Sequence, residues 1–269
     1  MSLLQNRLDD FNMNNITGHT DLTALLGSPV AHSISPLMHN ESFRLLVLDY
    51  VYLCFDVNEE TLPAAVAGLK TCGIRGFNLT MPNKNKIVEL LDELSPEAQL
   101  IGAVNTVLND NGKLIGYNTD GYGFMQSVRD AGHDITGKNI TVMGVGGASM
   151  AICAQSALDG AASVHIFARR TSRYWNRTQK FAENLSAKTG CQVCLFDNDD
   201  HTALRDSIAQ SYLLINATAV GMVPDIDDTI IKDTSLFHPE LVVADVVYEP
   251  QETRLLREAK AAGCQTFNG

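Results

Sequence analysis

The sequence predicts an α/β protein built from two domains. Three observations carry that expectation. Short apolar, β-branched runs alternate with segments of helical periodicity, the pattern of a largely parallel sheet flanked by helices. The alternation breaks once near the middle of the chain and then restarts. The length of 269 residues exceeds one average domain and suits two of moderate size.

Residues 1 to about 20 read as a loose leader. "TALLGS" then reads as a short buried strand. "SISPLMHNESFRLLVL" reads as a helix, with Ser35 able to cap it and Pro36 suited to its first turn. "YVYLCFDV" is strand-like by its β-branched and aromatic content. "EETLPAAVAGLKTCG" is a helix closed by Gly73, and "IRGFNLT" is another strand. In "AVNTVLNDNGKLIGYN" two strand-like runs flank Asn-Asp-Asn-Gly, a hairpin signal. A helix follows from about Asp120 to Ala131, and the stretch 122–138, with its glycines and charges, is the expected boundary zone.

The alternation then resumes. "NITVMG" is a strand, "GASMAICAQSALDG" a helix, "SVHIFA" a strand and "YWNRTQKFAENLSAKTG" a helix ending at a glycine. "QVCLF", "YLLINAT" and "LVVADVV" supply further strands. Neither an internal repeat nor a low-complexity tract interrupts the series.

Composition narrows the function. Apolar residues make up 45% of the chain, ample for a core, and the formal charge of −11 argues against a nucleic-acid partner, which wants a basic face. No apolar run reaches the length of a membrane span, and "MSLLQNRLDDFNMNN" lacks the basic start and apolar centre of a signal peptide. A cytoplasmic protein is expected. The six cysteines fit that compartment as small core residues, and the lone pair Cys191 and Cys194 reads as strand packing, so no metal site is expected.

The strongest local motif is "TVMGVGGASMAI". A strand runs into Gly144, Gly146, Gly147 and Ala148 and then into a helix. Such glycines let the backbone approach a pyrophosphate, and the helix start offers free N–H groups. The strict glycine fingerprint is not met, because Ser149 takes its third slot; the bland alternative is an ordinary glycine turn. The next strand ends in "FARRTSR". The acid that would hold a ribose 2′-hydroxyl is missing, and Arg169, Arg170 and Arg173 stand there instead. Guanidinium groups pair with phosphate through parallel hydrogen bonds. NADP is therefore the expected cofactor, with NAD as the alternative; a solvated basic strand end is the bland reading.

If the second half holds a nucleotide, the first half should hold the substrate. Its polar residues gather at expected strand ends: Ser33 and Ser35, Thr80 and Lys84, Asn105, then Thr119 and Asp120. In open α/β sheets ligands sit outside the carboxyl ends of strands. Hydroxyls, an amide, an amine and a carboxylate suit a polyhydroxylated ligand. Each also has a bland reading, Ser35 and Asp120 as helix caps and Asn105 as a turn residue.

Seven blocks, "SPVAHSISPLMHN", "FNLTMPNK", "GAVNTV", "GYNTDGYGF", "GVGGASMAI", "NATAVGM" and "DVVYEP", occur in the order of the shikimate/quinate dehydrogenase family. The chain resembles that family from about residue 24 to its end. The resemblance implies a substrate-binding domain over 1–122 and a Rossmann-like NADP-binding domain over 123–269. It implies reversible oxidation of the C3 hydroxyl of shikimate, or of quinate, with hydride passed to a nicotinamide. By motif position Lys84 and Asp120 are the catalytic pair, with Asp120 orienting a proton-shuttling Lys84. Ser33, Ser35, Thr80 and Asn105 match substrate-contacting positions, and Tyr248 matches a tyrosine near the substrate carboxylate. Gly144, Gly146, Gly147 and Ala148 match the pyrophosphate loop, and the "NATAVGM" block adds Thr218, Gly221 and Met222 on the cofactor side. Partners implied are a small-molecule substrate only, in a monomer or homodimer.

Two other readings compete: a non-catalytic NADP-binding sensor of the same fold, and a related amino-acid or folate dehydrogenase, against which the "SIS" and "NTDG" blocks argue. The chain departs from the family pattern in three places. Ala168 stands where an asparagine is usual before the arginines, and Glu249 where asparagine is usual after the tyrosine. Family chains also continue past "CQTFNG" with a substrate-binding glutamine and a returning helix. The expectation is weakened activity if "CQTFNG" ends the polypeptide.

Overall fold

A computed structural model describes residues 16–268. The expected leader falls largely on residues 1–15, which lie outside the described residues. The fold divides into two units between Asn118 and Thr119.

In the first unit, β1 (Asp21–Gly27) is followed by α1 (Ser35–Leu45), β2 (Tyr50–Asp56), α2 (Leu62–Thr71) and β3 (Gly76–Leu79). A 3-10 turn (Lys86–Leu90), β4 (Glu93–Leu94) and α3 (Pro96–Ile101) precede the hairpin of β5 (Thr106–Asp110) and β6 (Lys113–Tyr117). The sheet order is β2-β1-β3-β5-β6-β4. It is parallel across β2, β1 and β3 but turns antiparallel at β3–β5 and β5–β6. The parallel strands are those of the expected strand–helix alternation, the antiparallel pair β5–β6 is the expected hairpin, and β4 pairs parallel with β6 at the edge. A two-residue hairpin can join β5 to β6 only in the antiparallel sense. Asn111 and Gly112 form that turn at φ 51° and 92°, the positive angles a tight hairpin demands. The core gathers Leu26, Leu62, Ile74, Phe77, Ile87 and Leu114, all buried.

The start of α1 corrects one sequence reading. Ile34, not Ser35, holds the cap position, with no side-chain cap bond. Instead Ser33 Oγ accepts from the Ser35 N–H at 3.2 Å. The other end of α1 is closed by a Schellman arrangement: Leu48 N–H donates to Phe43 O at 2.9 Å and Val47 N–H to Arg44 O at 3.3 Å. Val47 thereby sits at φ 55°, where a β-branched residue is penalised and glycine is preferred. Val47 is 78% exposed, so its side chain has little packing to lose. Val47→Gly is expected to raise the unfolding free energy by about 0.5–1 kcal/mol, the relief of αL strain less the glycine's entropy cost. Urea denaturation measures it.

The second unit begins with α4 (Asp120–Asp130), then β7 (Asn139–Met143), α5 (Gly147–Leu158), β8 (Ser163–Ala168), α6 (Trp175–Thr189) and β9 (Gln192–Asp197). It continues with α7 (His201–Gln210), β10 (Leu213–Asn216), β11 (Val242–Asp245), α8 (Arg254–Ala261) and β12 (Gln265–Asn268). Its sheet is parallel throughout in the order β12-β11-β10-β7-β8-β9. Met143, Phe167, Leu214, Val243 and Leu255 form its core. Helix α4 lies inside this unit, so the division falls four residues before the expected 122/123 boundary. The reason is packing: a Cβ on Gly121 would lie 2.2 Å from Ala151 O of α5, and Arg129 donates to Asp159 at 2.8 Å.

His165 on β8 hydrogen-bonds through Nδ1 with Ser207 Oγ of α7 at 2.9 Å and meets Phe196 edge-on. Burial pushes its imidazole below the ordinary histidine value. The folded state thus binds the proton less readily than the unfolded chain, and stability present above about pH 6.5 is lost as the pH falls. Stability measured by urea between neutral and mildly acidic pH should fall on acidification, and fall less steeply in His165→Gln.

Candidate active site

The first unit brings its expected site residues to one end of its sheet. Ser33 and Ser35 follow the carboxyl end of β1, and Thr80 and Lys84 follow that of β3. Because β5 is antiparallel to β3, Asn105 enters β5 at the same end. Backbone hydrogen bonds lock the arrangement. Thr80 N–H donates to Leu26 O at 3.1 Å, Leu79 N–H to Asn105 O at 2.8 Å, and Ser28 N–H to Met81 O at 2.9 Å.

The Lys84 loop is held from both sides. Val104 N–H donates to Lys84 O at 2.8 Å. The preceding Asn83 is fully buried, and its Nδ2 donates to Val57 O at 2.7 Å. The lysine is half-buried, so its long side chain leaves a fixed base. Surface decoration does not require a buried amide anchor beside it.

Asp120 belongs to the second unit, in the first turn of α4. The cap position is Thr119, which makes no side-chain cap bond, so Asp120 is not the helix cap. An acid in a first turn complements the helix dipole.

The other second-unit residues cluster at the carboxyl end of its parallel sheet, where β7 and β10 lie side by side and the chain's crossovers part to opposite flanks. This is the crevice position of nucleotide-binding sheets. Gly144 leaves β7 at φ 111°. A Cβ there would meet Ala217 O at 2.8 Å and Thr218 Cγ2 at 2.9 Å. Gly146 holds the cap position of α5 with no side-chain bond, and space is open where a Cβ on Gly146 or Gly147 would sit. Uncapped N–H groups under open space fit a pyrophosphate. Ala148 lies in the first turn of α5, and Ser149, in the third glycine slot, folds inward to donate to Gly144 O at 2.6 Å.

Arg169, Arg170 and Arg173 follow β8, all exposed. Arg170 lies 4.6 Å over the Trp175 ring and Arg173 4.7 Å over Tyr174. Arg169 has no ion pair among the described residues. Two guanidinium groups shelved on rings beside a third form a compact cationic edge in an acidic chain, a fit for a 2′-phosphate.

A buried polar pair sequence reading missed holds the remaining loops. Asn216 and Asp245 oppose each other on β10 and β11, and Asn216 Nδ2 donates to Asp245 Oδ1 at 2.9 Å. Asn216 Oδ1 accepts from the Thr218 hydroxyl at 2.7 Å, which fixes the segment leading to Gly221 and Met222. Asp245 also accepts from Val247 N–H at 3.0 Å and the Thr253 hydroxyl at 2.7 Å. Burial pushes the Asp245 carboxyl up, against these three bonds that favour its charge. Tyr248 follows on this loop and is 65% exposed. Nothing in the structure explains Glu249. Among the described residues no group of His, Cys, Asp or Glu could hold a metal ion.

Residues 25–107 match the family described as the shikimate dehydrogenase substrate binding domain. A shikimate dehydrogenase (NADP(+)) of Listeria innocua is 50% identical over 254 residues, covering 94% of this chain and 87% of that protein. The chain belongs to the shikimate/quinate dehydrogenase family. Within the family, the crystal structure of shikimate 5-dehydrogenase from Listeria monocytogenes in complex with shikimate and NAD superposes with a TM-score of 0.92 at 49% identity, covering 95% of this chain and 88% of that one. Quinate dehydrogenase from Corynebacterium glutamicum in complex with NAD superposes with a TM-score of 0.81 at 30% identity, covering 92% and 87%. Membership makes this chain an NAD(P)-dependent oxidoreductase of two α/β parts. No helix among the described residues is long and apolar enough to cross a membrane.

Proposed function

We propose that this chain interconverts shikimate and its 3-keto form with NADP, as a cytoplasmic monomer or homodimer. The observation that carries the reading is the gathering of Ser33, Ser35, Thr80, Lys84 and Asn105 at one sheet end, in a chain half identical to shikimate dehydrogenases named for NADP. NADP, when bound, supplies the nicotinamide that accepts hydride from C3. As that C–H bond breaks, the hydroxyl proton must leave so that the C=O bond can form. Lys84 takes the proton, Asp120 accepts a hydrogen bond from a ring hydroxyl, and Ser33, Ser35, Thr80 and Asn105 bind the remaining oxygens. Tyr248 serves the substrate carboxylate. The cofactor rests on Gly144, Gly146, Gly147 and Ala148, with Thr218, Gly221 and Met222 beside it and the 2′-phosphate on Arg169, Arg170 and Arg173. The sensor alternative is not favoured, because relatives of this identity are named as dehydrogenases.

Initial rates followed by NADPH absorbance, crossing shikimate or quinate with NADP or NAD, test the assignment. Turnover with shikimate and NADP is expected; cofactor binding without turnover in any pair would sink it. Arg169→Ala should raise KM for NADP about tenfold or more, the worth of one charge-assisted hydrogen bond, while KM for NAD changes little because NAD lacks the 2′-phosphate.

A further inference from the structure

The candidate substrate end of the first unit hides a set of hydrogen bonds that run in one direction. Asn78 on β3 and Thr106 on β5 are directly opposed. The Asn78 Nδ2 donates both to Asn105 O at 3.2 Å and to Thr106 Oγ1 at 3.0 Å. A backbone carbonyl can only accept, so the amide nitrogen of Asn78 must face Asn105. Its Oδ1 then faces the other way, where the Tyr52 hydroxyl donates to it at 2.8 Å. Thr106 Oγ1 accepts from Asn78 through one lone pair and gives its single proton to Asn105 Oδ1 at 3.0 Å. That leaves the nitrogen as the donor end of the Asn105 amide.

We propose that Tyr52, Asn78 and Thr106 form a one-way relay whose job is to fix the Asn105 amide as a hydrogen-bond donor to a substrate oxygen, with Thr106 and Tyr52 as positioning residues. This rests on the reading of Asn105 as a substrate contact. The far end of the relay is built to stay still. Tyr52 is buried, its ring stacks on His39 at 4.2 Å, and its backbone exchanges two hydrogen bonds with the Asn40 side chain at 2.8 and 3.0 Å. Burial also pushes the Tyr52 phenol well above its ordinary value, so it remains a donor across the working pH range. An unbiased amide would offer its oxygen as readily as its nitrogen, which would repel an acceptor-only carboxylate oxygen of the ligand and let a ligand hydroxyl bind in either sense.

The test compares Thr106→Val, which keeps shape and loses the hydroxyl, with Thr106→Ser, which keeps the hydroxyl. Thr106→Val should raise KM for shikimate about tenfold with KM for NADP unchanged, the worth of about one hydrogen bond, while Thr106→Ser stays within about twofold of the parent. Tyr52→Phe should shift KM in the same direction. In an Asn105→Ala background, Thr106→Val should add nothing. Equal KM in the valine and serine variants, or additive effects with Asn105→Ala, would overturn the relay. If Asn105→Ala alone leaves KM unchanged, it is the site reading that fails. The relay is then judged on hydrogen exchange of the Asn78 and Asn105 side-chain amides by NMR. Faster exchange in Thr106→Val supports it, and unchanged exchange overturns it.

Discussion

Lys84→Ala is expected to lower kcat by a factor of about a hundred to ten thousand, the range for loss of a positioned acid–base group. Shikimate affinity measured at equilibrium should change far less. The structure gives a reason to expect a chemical loss without a structural one. The loop holds itself through atoms that alanine retains: Lys84 O still accepts from Val104 N–H, and the neighbouring Asn83 still anchors to Val57 O. Lys84 is half-buried and stands outside the buried residues of its unit. The melting temperature should therefore stay close to the parent's. Stopped-flow single turnovers would place the loss in the hydride-transfer step. A near-parental kcat would remove Lys84 from the proton path.

Gly144→Ala carries the largest expected cost in stability. At φ 111° the backbone is in a conformation that L side chains rarely adopt. The added Cβ would also stand 2.8 Å from the Ala217 carbonyl oxygen. Relief by movement is blocked, because Gly144 N–H is bonded to Phe167 O at 2.8 Å and Gly144 O accepts from Ser149. Strain of this kind costs about 3 kcal/mol or more, a large share of a domain's total stability. Gly146→Ala makes the contrast. Its φ is −78° and the Cβ would enter open space. Its melting temperature should match the parent's, while the methyl obstructs the surface proposed for the pyrophosphate and raises KM for NADP. Thermal melts with cofactor titrations separate the two effects. Equal melting temperatures for both glycine variants would refute the strain argument.

Much of this protein is legible from short stretches. The β5–β6 hairpin, the glycine loop after β7 and the arginines after β8 each rest on neighbours in sequence: a turn needs positive φ within two residues, and a helix start needs its glycines in series. The segment 86–101 shows no pattern, because a 3-10 turn, a two-residue strand and a helix of six residues are too brief to show a period. The closing α8 and β12, of eight and four residues, are not among the elements expected from the sequence. The cap of α1 lies one position before Ser35, at Ile34, and it is Ser33 Oγ that accepts from the Ser35 N–H, a placement that local chemistry does not distinguish.

What tertiary structure alone decided is of a different kind. A strand's residues reveal their faces by alternation but not their neighbours across the sheet. Only the register that sets Asn78 against Thr106, and Asn216 against Asp245, turns isolated polar residues into networks with a direction. Likewise Gly121 reads as one glycine among several until Ala151 O is found where its Cβ would be, and that contact assigns α4 to the second unit. The family, the nucleotide loop and the identity of the candidate catalytic residues were carried by local order in the chain. The orientation of the Asn105 amide and the place where the two units divide were set by contacts between residues far apart in sequence, which no local pattern encodes.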